Sequence, residues 1–456
     1  MIWLPDLRIA ERLAAFAQEF KLENVPAAIT ERVRLALLDT VGCMAYGSMN
    51  SSSMVMQAVV GDVSSPKLAS VVGTRIRTWP PLAALANGTM AHRLDFDDGI
   101  TRACGLHVGV TLVPALFALG ESMNSSGGEI LASAIVGYEI AARIGRPLRS
   151  RILYLNGFHA QGVLAGFAAA SACAHLLGLE QEQIINVLST TACLAPVSPY
   201  DAFTSGGMTK DAYAGWPSML GIMACYLTMN GFTSPSDIFE SKLGFYKLLA
   251  DKYGESEIFQ GIGEQFVFPE AHYFKPHSTC RLVDNPADCA LSIVRTNQIS
   301  PDQVKRITIS TSEVVWALTR GGPSPINDIQ ARASMHYCVA AAILYGDLSV
   351  DRFSDVAISN PGVHELANKI EVLVNPELLS IYPKRPTEVT IITKEGRSYT
   401  ETVFSERSLD KSGVIQKFRN LATRVYTPEA VEKLEGMILD IARVSDISHV
   451  MELLRK

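Results

Sequence analysis

From Pro26 to Met44 apolar residues fall at Val33, Leu37, Val41 and Met44, the three-to-four-residue spacing that gives a helix one apolar face. The same period, filled with Ala, Gly and Leu, continues through residues 80–88, 111–123, 129–144, 162–177, 182–194 and 214–227. About the first 260 residues are therefore predicted to be nearly all helical. After about Phe268 the pattern alternates. Ile307 and Ile309 oppose Arg306, Thr308 and Ser310, and Ile370, Val372 and Val374 oppose Glu371 and Leu373, as strands do. Val389, Ile391 and Thr393 lead through the turn pair Glu395-Gly396 into residues 399–403, a hairpin signature. Helical spacing reappears at 286–296 and 331–345. It returns after Thr427-Pro428, a cap residue before a proline, with Val431, Leu434, Ile438 and Ile441. The expected fold is mainly α: a large all-helical domain of residues 1–267 and 405–456, with a smaller α+β lid domain, 268–404, inserted before the C-terminal helices.

Composition narrows the class of function. Among 456 residues, 46 acidic side chains against 40 basic ones give a net charge of −6, and no basic run offers a stripe to track phosphates. No nucleic-acid partner is expected. With 48% hydrophobic residues, 19% charged and a mean hydropathy of +0.17, the chain is richer in core than an ordinary soluble enzyme, which points to a large interior or a subunit interface. No stretch reaches the roughly 18 consecutive apolar residues of a membrane span; the nearest, Gly162 to Ala174, reads as a tightly packed buried helix, and no membrane association is expected. Asp6 and Arg8 interrupt the start of the chain, so a signal peptide is not expected and a cytoplasmic location is. Eight cysteines without a C-x-x-C pair read as reduced core thiols.

Four polar islands interrupt the apolar pattern. His92-Arg93-Leu94-Asp95-Phe96-Asp97-Asp98, with His107 nearby, places three carboxylates within four positions; if buried, they require a cation, and otherwise they are helix caps in solvent. His159 stands before a Gly/Ala-rich helix, where the positive end of the dipole keeps an imidazole neutral, though a lone histidine also serves as a satisfied core residue. Thr204 to Lys210 presents a lysine beside a Gly pair. Phe274 to Arg281 packs Lys275, His277, Cys280 and Arg281 into one stretch at the boundary between the two periods, where clefts form.

Together these islands resemble the MmgE/PrpD family, whose members include 2-methylcitrate dehydratase, cis-aconitate decarboxylase and iminodisuccinate epimerase. The likeness rests on Leu38-Asp39-Thr40-Val41-Gly42, Asn87-Gly88-Thr89, Ala91-His92, Leu94 to Asp98, Gly137-Tyr138-Glu139-Ile140, Gly157-Phe158-His159, Thr209-Lys210 and Lys275-Pro276. It implies a homodimer, no metal or organic cofactor, and a lyase, a dehydratase or decarboxylase, that moves a proton next to a carboxylate of a small di- or tricarboxylic acid. Carried over, it implies His107 as principal acid/base, His159 as its partner or a substrate contact, Asp95 as orienting carboxylate, and Lys210 and Lys275 as carboxylate clamps. Thr209, Gly99, His277, Cys280 and Arg281 complete the expected substrate contacts.

The chain also departs from the family pattern. Gly99 stands where many members carry Thr, Val108 where dehydratases and decarboxylases carry Pro, and Tyr213 where His is common; Cys280 occupies a position that is His in animal aconitate decarboxylases. An epimerase or isomerase of the same family and a non-catalytic homologue are the alternative readings. A terpene-synthase-like Mg²⁺ site would need a second motif of Asn/Asp, Ser/Thr and Glu on one helix face, which the sequence lacks.

Overall fold

A computed structural model describes residues 8–148, 153–154, 156–250, 252–381 and 384–456; Met1 to Leu7, including the part of the leader expectation that rests on Asp6, lie outside the described residues. The protein is mainly α. The helices that matter for the site are α1 (Ile9–Glu19), α2 (Ala27–Gly47), α3 (Pro80–His92), α4 (Gly109–Met123), α5 (Gly127–Gly145), α6 (Gly166–Leu176), α7 (Gln181–Leu194) and α8 (Ala212–Met229). They form one interior in which both the apolar stripes and the Ala and Gly between them are buried. A helix apolar all round belongs at the centre of a bundle, and α4, buried from Gly109 to Glu121, has that position. Local signals fix the boundaries. Ser126 and Glu129 form a reciprocal cap at the start of α5, with the Ser126 N–H donating to Glu129 at 2.7 Å.

Two helices foreseen as continuous are broken. The 162–177 segment divides at Ala165 into a short helix, Ala160–Leu164, and α6. The 331–345 segment divides at Ser334, whose hydroxyl accepts the Tyr337 N–H at 3.1 Å; a serine that caps a new helix competes with continuing the old one.

A second apolar core holds α9 (Asp284–Thr296) and α10 (Met335–Tyr345) against a mixed four-stranded sheet. With β1 (Gly99–Ile100) and β2 (His272–Tyr273) paired in the helical region, the sheet strands are β3 (Val304–Thr311), β4 (Ile370–Val374), β5 (Thr387–Thr393) and β6 (Ser398–Val403), in the order β4-β3-β5-β6. β4 runs parallel to β3, with Ile307 opposite Ile370, while β5 is antiparallel to β3 and β6. Gly396 turns the β5–β6 hairpin with a φ of 84°, a left-handed conformation that glycine adopts without strain. Tyr200 and Phe203, from the helical stretch of sequence, are buried in this second core, so the seam between the cores runs beside them.

The chain then returns. α11 (Lys411–Ala422) packs on α2, where Gly42 meets Phe418, and α12 (Pro428–Leu439) begins with Thr427 accepting the Ala430 N–H, the cap read from the sequence. The following turn docks on the start of α5 through Gly127 N–H to the Val444 carbonyl, 2.7 Å. A Cβ on Gly127 would stand 1.9 Å from the Ile441 carbonyl oxygen. Gly127→Ala is therefore expected to push the C-terminal turn off α5 and to cost about 1–3 kcal/mol, as overpacking does. An earlier thermal transition, with faster amide exchange over residues 440–447, is the measurement that checks this.

Candidate active site

The turn after α3 carries Asp95, Asp97 and Asp98, all buried. Asp95 takes a left-handed φ of 47°, which an aspartate tolerates. Each carboxylate then meets its own partners. Asp95 Oδ1 accepts from Lys275 Nζ at 2.7 Å and lies 3.7 Å from Lys210 Nζ. Asp97 Oδ2 lies 2.8 Å from His107 Nδ1 and 3.3 Å from His92 Nδ1. Asp98 Oδ2 accepts from Tyr138 Oη and faces His272 Nε2, both at 2.8 Å, and Arg32 donates to the other His272 nitrogen at 2.9 Å. Lys417, paired with Asp39 at 2.7 Å, donates to the Phe96 carbonyl and closes the turn from behind.

These pairings set the protonation states. Burial pushes a carboxyl up, but Lys210 and Lys275 outweigh it and hold Asp95 well below its ordinary value; the two imidazoles do the same for Asp97. Lys275 is raised in turn, since Asp95 and its neighbours favour the charged ammonium over the cost of burial. His92 is held down to about 4 by burial and by Lys210, so it is neutral near neutral pH. His159 is also held low, by burial first and then by His92 and Lys210.

A cavity of about 270 Å³ opens where the two cores meet. His92, Asp95, His107, His159 and Lys210 line it on the helical side, with Tyr200 and Phe203 beside them. Cys280, Arg281, Lys384 and Arg385 line it from the other side, together with Val314, Val315, Leu318 and Leu378. Gln161 clamps the backbone of His107, accepting its N–H and donating to its carbonyl, each at 2.9 Å. His159 caps the short helix: its Nδ1 accepts the Gln161 N–H at 3.3 Å, which leaves the proton of the neutral ring on Nε2. Its ring stacks on Tyr200 at 5.1 Å, with Tyr213 at 5.3 Å on another side. His159 is thus set up as a hydrogen-bond donor. Arg281 pairs with Asp284 through Nη1 at 2.8 Å, and its buried Nε has no partner among the described residues.

The expected residues separate here. Asp95, His107, His159, Lys210, Cys280 and Arg281 share the cavity wall. Lys275 is fully buried outside that wall, with donors committed to Asp95 Oδ1, the Asp95 carbonyl (2.7 Å) and the Thr279 carbonyl (2.9 Å), so it acts as the counter-ion of Asp95. The carboxylate that orients His107 is Asp97, because the left-handed turn commits Asp95 to the lysines. His277 pairs with Asp288 at 2.9 Å, away from the cavity, and Thr209 is exposed beside Lys210. Gly99 is in β1, where a Cβ would stand 2.4 Å from Tyr273 Oη; the phenol fills the space that a threonine side chain would need. Tyr213 donates to the Pro199 carbonyl at 2.7 Å and braces His159, and Cys280, raised to about 11 by burial and Asp95, is a thiol rather than a nucleophilic thiolate.

His92 and Asp97 have no role among the residues expected from the sequence, although both lie in the first island. The available signal was a histidine at the end of an apolar helix with an aspartate five residues on. Tyr200 and Arg385 carried no such signal, because only the fold brings them to the same cavity.

Profiles of the MmgE/PrpD N-terminal domain and the MmgE/PrpD C-terminal domain match residues 11–256 and 277–442. Among curated proteins, cis-aconitate decarboxylase of Aspergillus terreus is 25% identical over 484 aligned residues, covering 98% of this chain and 96% of that protein. The human cis-aconitate decarboxylase is 25% identical, covering 98% and 94%, and 2-methylcitrate dehydratase of Escherichia coli is 23% identical, covering 90% and 89%.

Removing Lys275 should strand a buried carboxylate. Lys275→Met is expected to cost about 3–5 kcal/mol in denaturant unfolding, and a Lys275→Met/Asp95→Leu pair should recover much of that loss. Asp95 also gives a pH signature. Its folded value lies below the ordinary 3.8, so its contribution is complete above that pH and is lost as pH falls through the folded value. Asp95→Asn should therefore be less stable than the native chain at neutral pH, and unfolding curves taken below pH 3.8 should converge.

Proposed function

We propose that this chain, which belongs to the MmgE/PrpD family, is a lyase that removes CO₂ or water from a small di- or tricarboxylic acid by moving a proton at the carbon next to a carboxylate. The observation that carries this reading is the division of the cavity: Lys210, Arg281, Lys384 and Arg385 supply positive charge, and two imidazoles on one ionised aspartate face the same space. The names of the relatives, decarboxylases and dehydratases, support it.

The residue types fit the work. Lys210 and Arg281 hold carboxylates, and a fixed cation gains most where charge develops, on the enolate-like carboxylate formed as the adjacent carbon becomes electron-rich. In CO₂ loss the electrons of the broken C–C bond stay with the carbon framework, and an imidazolium supplies the proton. In water loss a base takes the carbon-bound proton and an acid protonates the departing hydroxyl. His107, partly open to the cavity and held by Asp97 and Gln161, supplies the acid. His159 donates a hydrogen bond to the bound substrate. The apolar group of Val314, Val315 and Leu318 covers the carbon skeleton. A homodimer is part of the same proposal, supported by the exposed Met54, Val55 and Val59 on the helix Ser51–Asp62 and Val63 just after it.

Assays of cis-aconitate for CO₂ release and of citrate and 2-methylcitrate for formation of the double bond test the reading; failure on this panel and on related carboxylic acids would sink it. On the accepted substrate, His107→Gln is expected to lower kcat by about 10²- to 10⁴-fold with binding largely kept. Lys210→Met should worsen both KM and kcat, since its charge holds the ground-state carboxylate and gains more as charge develops in the transition state. Light scattering should return twice the 49.5 kDa chain mass.

A further inference from the structure

His92 is the last residue of α3 and is fully buried, yet its ring forms part of the cavity wall. Nδ1 lies against Asp97 Oδ2 at 3.3 Å, while Nε2 is buried with no hydrogen-bond partner among the described residues. A buried polar atom without a partner is costly, and in a native site it calls for an explanation. Asp97 is ionised and can only accept, so the neutral ring carries its proton on Nδ1 and a lone pair on Nε2. The His107 ring centroid is 5.2 Å away, and its Nδ1 lies against the same carboxylate oxygen. Two imidazoles therefore share one counter-ion. Of the two, His92 is the ring held neutral, by burial and by Lys210.

We propose that His92 is a catalytic residue, the base that takes the carbon-bound proton of the substrate while His107 acts as the acid. This rests on the lyase reading above and names the residue that reading lacks. In water loss, Nε2 of His92 takes the proton from the carbon next to the carboxylate and the C–H electron pair becomes the new C=C π bond. The C–O bond breaks towards oxygen, and the leaving hydroxyl takes the proton of the His107 imidazolium and departs as water. His92 then releases its proton to solvent and His107 takes one up, restoring the pair. Burial and Lys210 lower the basicity of the empty ring. A substrate carboxylate placed against Lys210 offsets that charge, so His92 gains basicity as the substrate arrives. His159 cannot fill this role, because its Nδ1 is occupied and its Nε2 carries the proton.

The test separates a chemical role from a structural one. His92→Asn keeps an N–H near the position of Nδ1, where it can still reach Asp97, and removes Nε2. We expect kcat for dehydration to fall about 10²- to 10⁴-fold, with KM changed by less than about fivefold. Exchange of the carbon-bound proton with D₂O, expected in the native enzyme, should be lost as well. A His92→Asn enzyme with near-native turnover and exchange would overturn the proposal while leaving the lyase reading intact. An inactive native enzyme would overturn the lyase reading instead. Neutron crystallography of the native chain bears on His92 alone, even if the variant fails to fold: deuterium on Nδ1 with a bare Nε2 is expected, and deuterium on Nε2 would refute the proposal. His92, Asp97 and His107 also place one possible ligand atom each within 4.8 Å of one another. A zinc ion bound there after soaking with ZnCl₂, together with activity abolished by EDTA and restored by zinc, would refute it too.

Discussion

Three buried carboxylates on one turn are the constraint from which the rest of the site follows. An ionised carboxylate removed from water costs several kcal/mol even after relaxation, and three on adjacent positions repel one another as well. The fold meets that cost with one set of partners per aspartate: lysines for Asp95, imidazoles for Asp97, a phenol and a third imidazole for Asp98. These partners come from α3, α5, β2, the segments just before α4 and α8, and the segment after β2, which are far apart in sequence. The turn is in effect a knot that ties the helical core to the residues entering the second one.

The same pairings decide what each functional group can do. An aspartate held ionised accepts only, so the neutral His92 ring against it presents its N–H inward and its lone pair outward. A backbone N–H reaching His159 imposes the opposite tautomer and makes that ring a donor. Lys275 and Lys210 illustrate how position divides identical side chains. Every hydrogen bond of the first goes to protein acceptors, while the second keeps its ammonium on the cavity wall, above Phe203 and near the His92 carbonyl.

The cavity exists because two cores abut without merging. Each core buries its own apolar side chains, and Asp95, His159 and Lys210 face the space between them. Tyr200 and Phe203 belong to the second core although the sequence around them belongs to the first, so they fix one wall while the segment ending at Leu318 forms another. Wall side chains that are themselves buried, such as Asp95 and Lys210, are shielded from water, which strengthens the charge interaction between them.

Features that depend on short-range pattern are legible in the order of residues alone. The 3.6-residue period placed the helices, the two-residue period placed β3 to β6, and the Thr427 cap and the Glu395-Gly396 turn were legible because capping and turn geometry are decided within a few residues. The order of residues also singles out the Asp95 to Asp98 cluster and the need for a compensating cation, since charge repulsion does not depend on fold. Which cation serves which carboxylate was decided only by tertiary structure. Asp95 and Asp97 are alike in sequence, and a left-handed φ at Asp95 sends one to the lysines and the other to the histidines. The break at Ser334, the burial of Lys275 and the phenol that excludes a side chain at Gly99 have the same origin. Each depends on an atom brought close from elsewhere in the chain, and hydrophobic periodicity carries no information about such approaches.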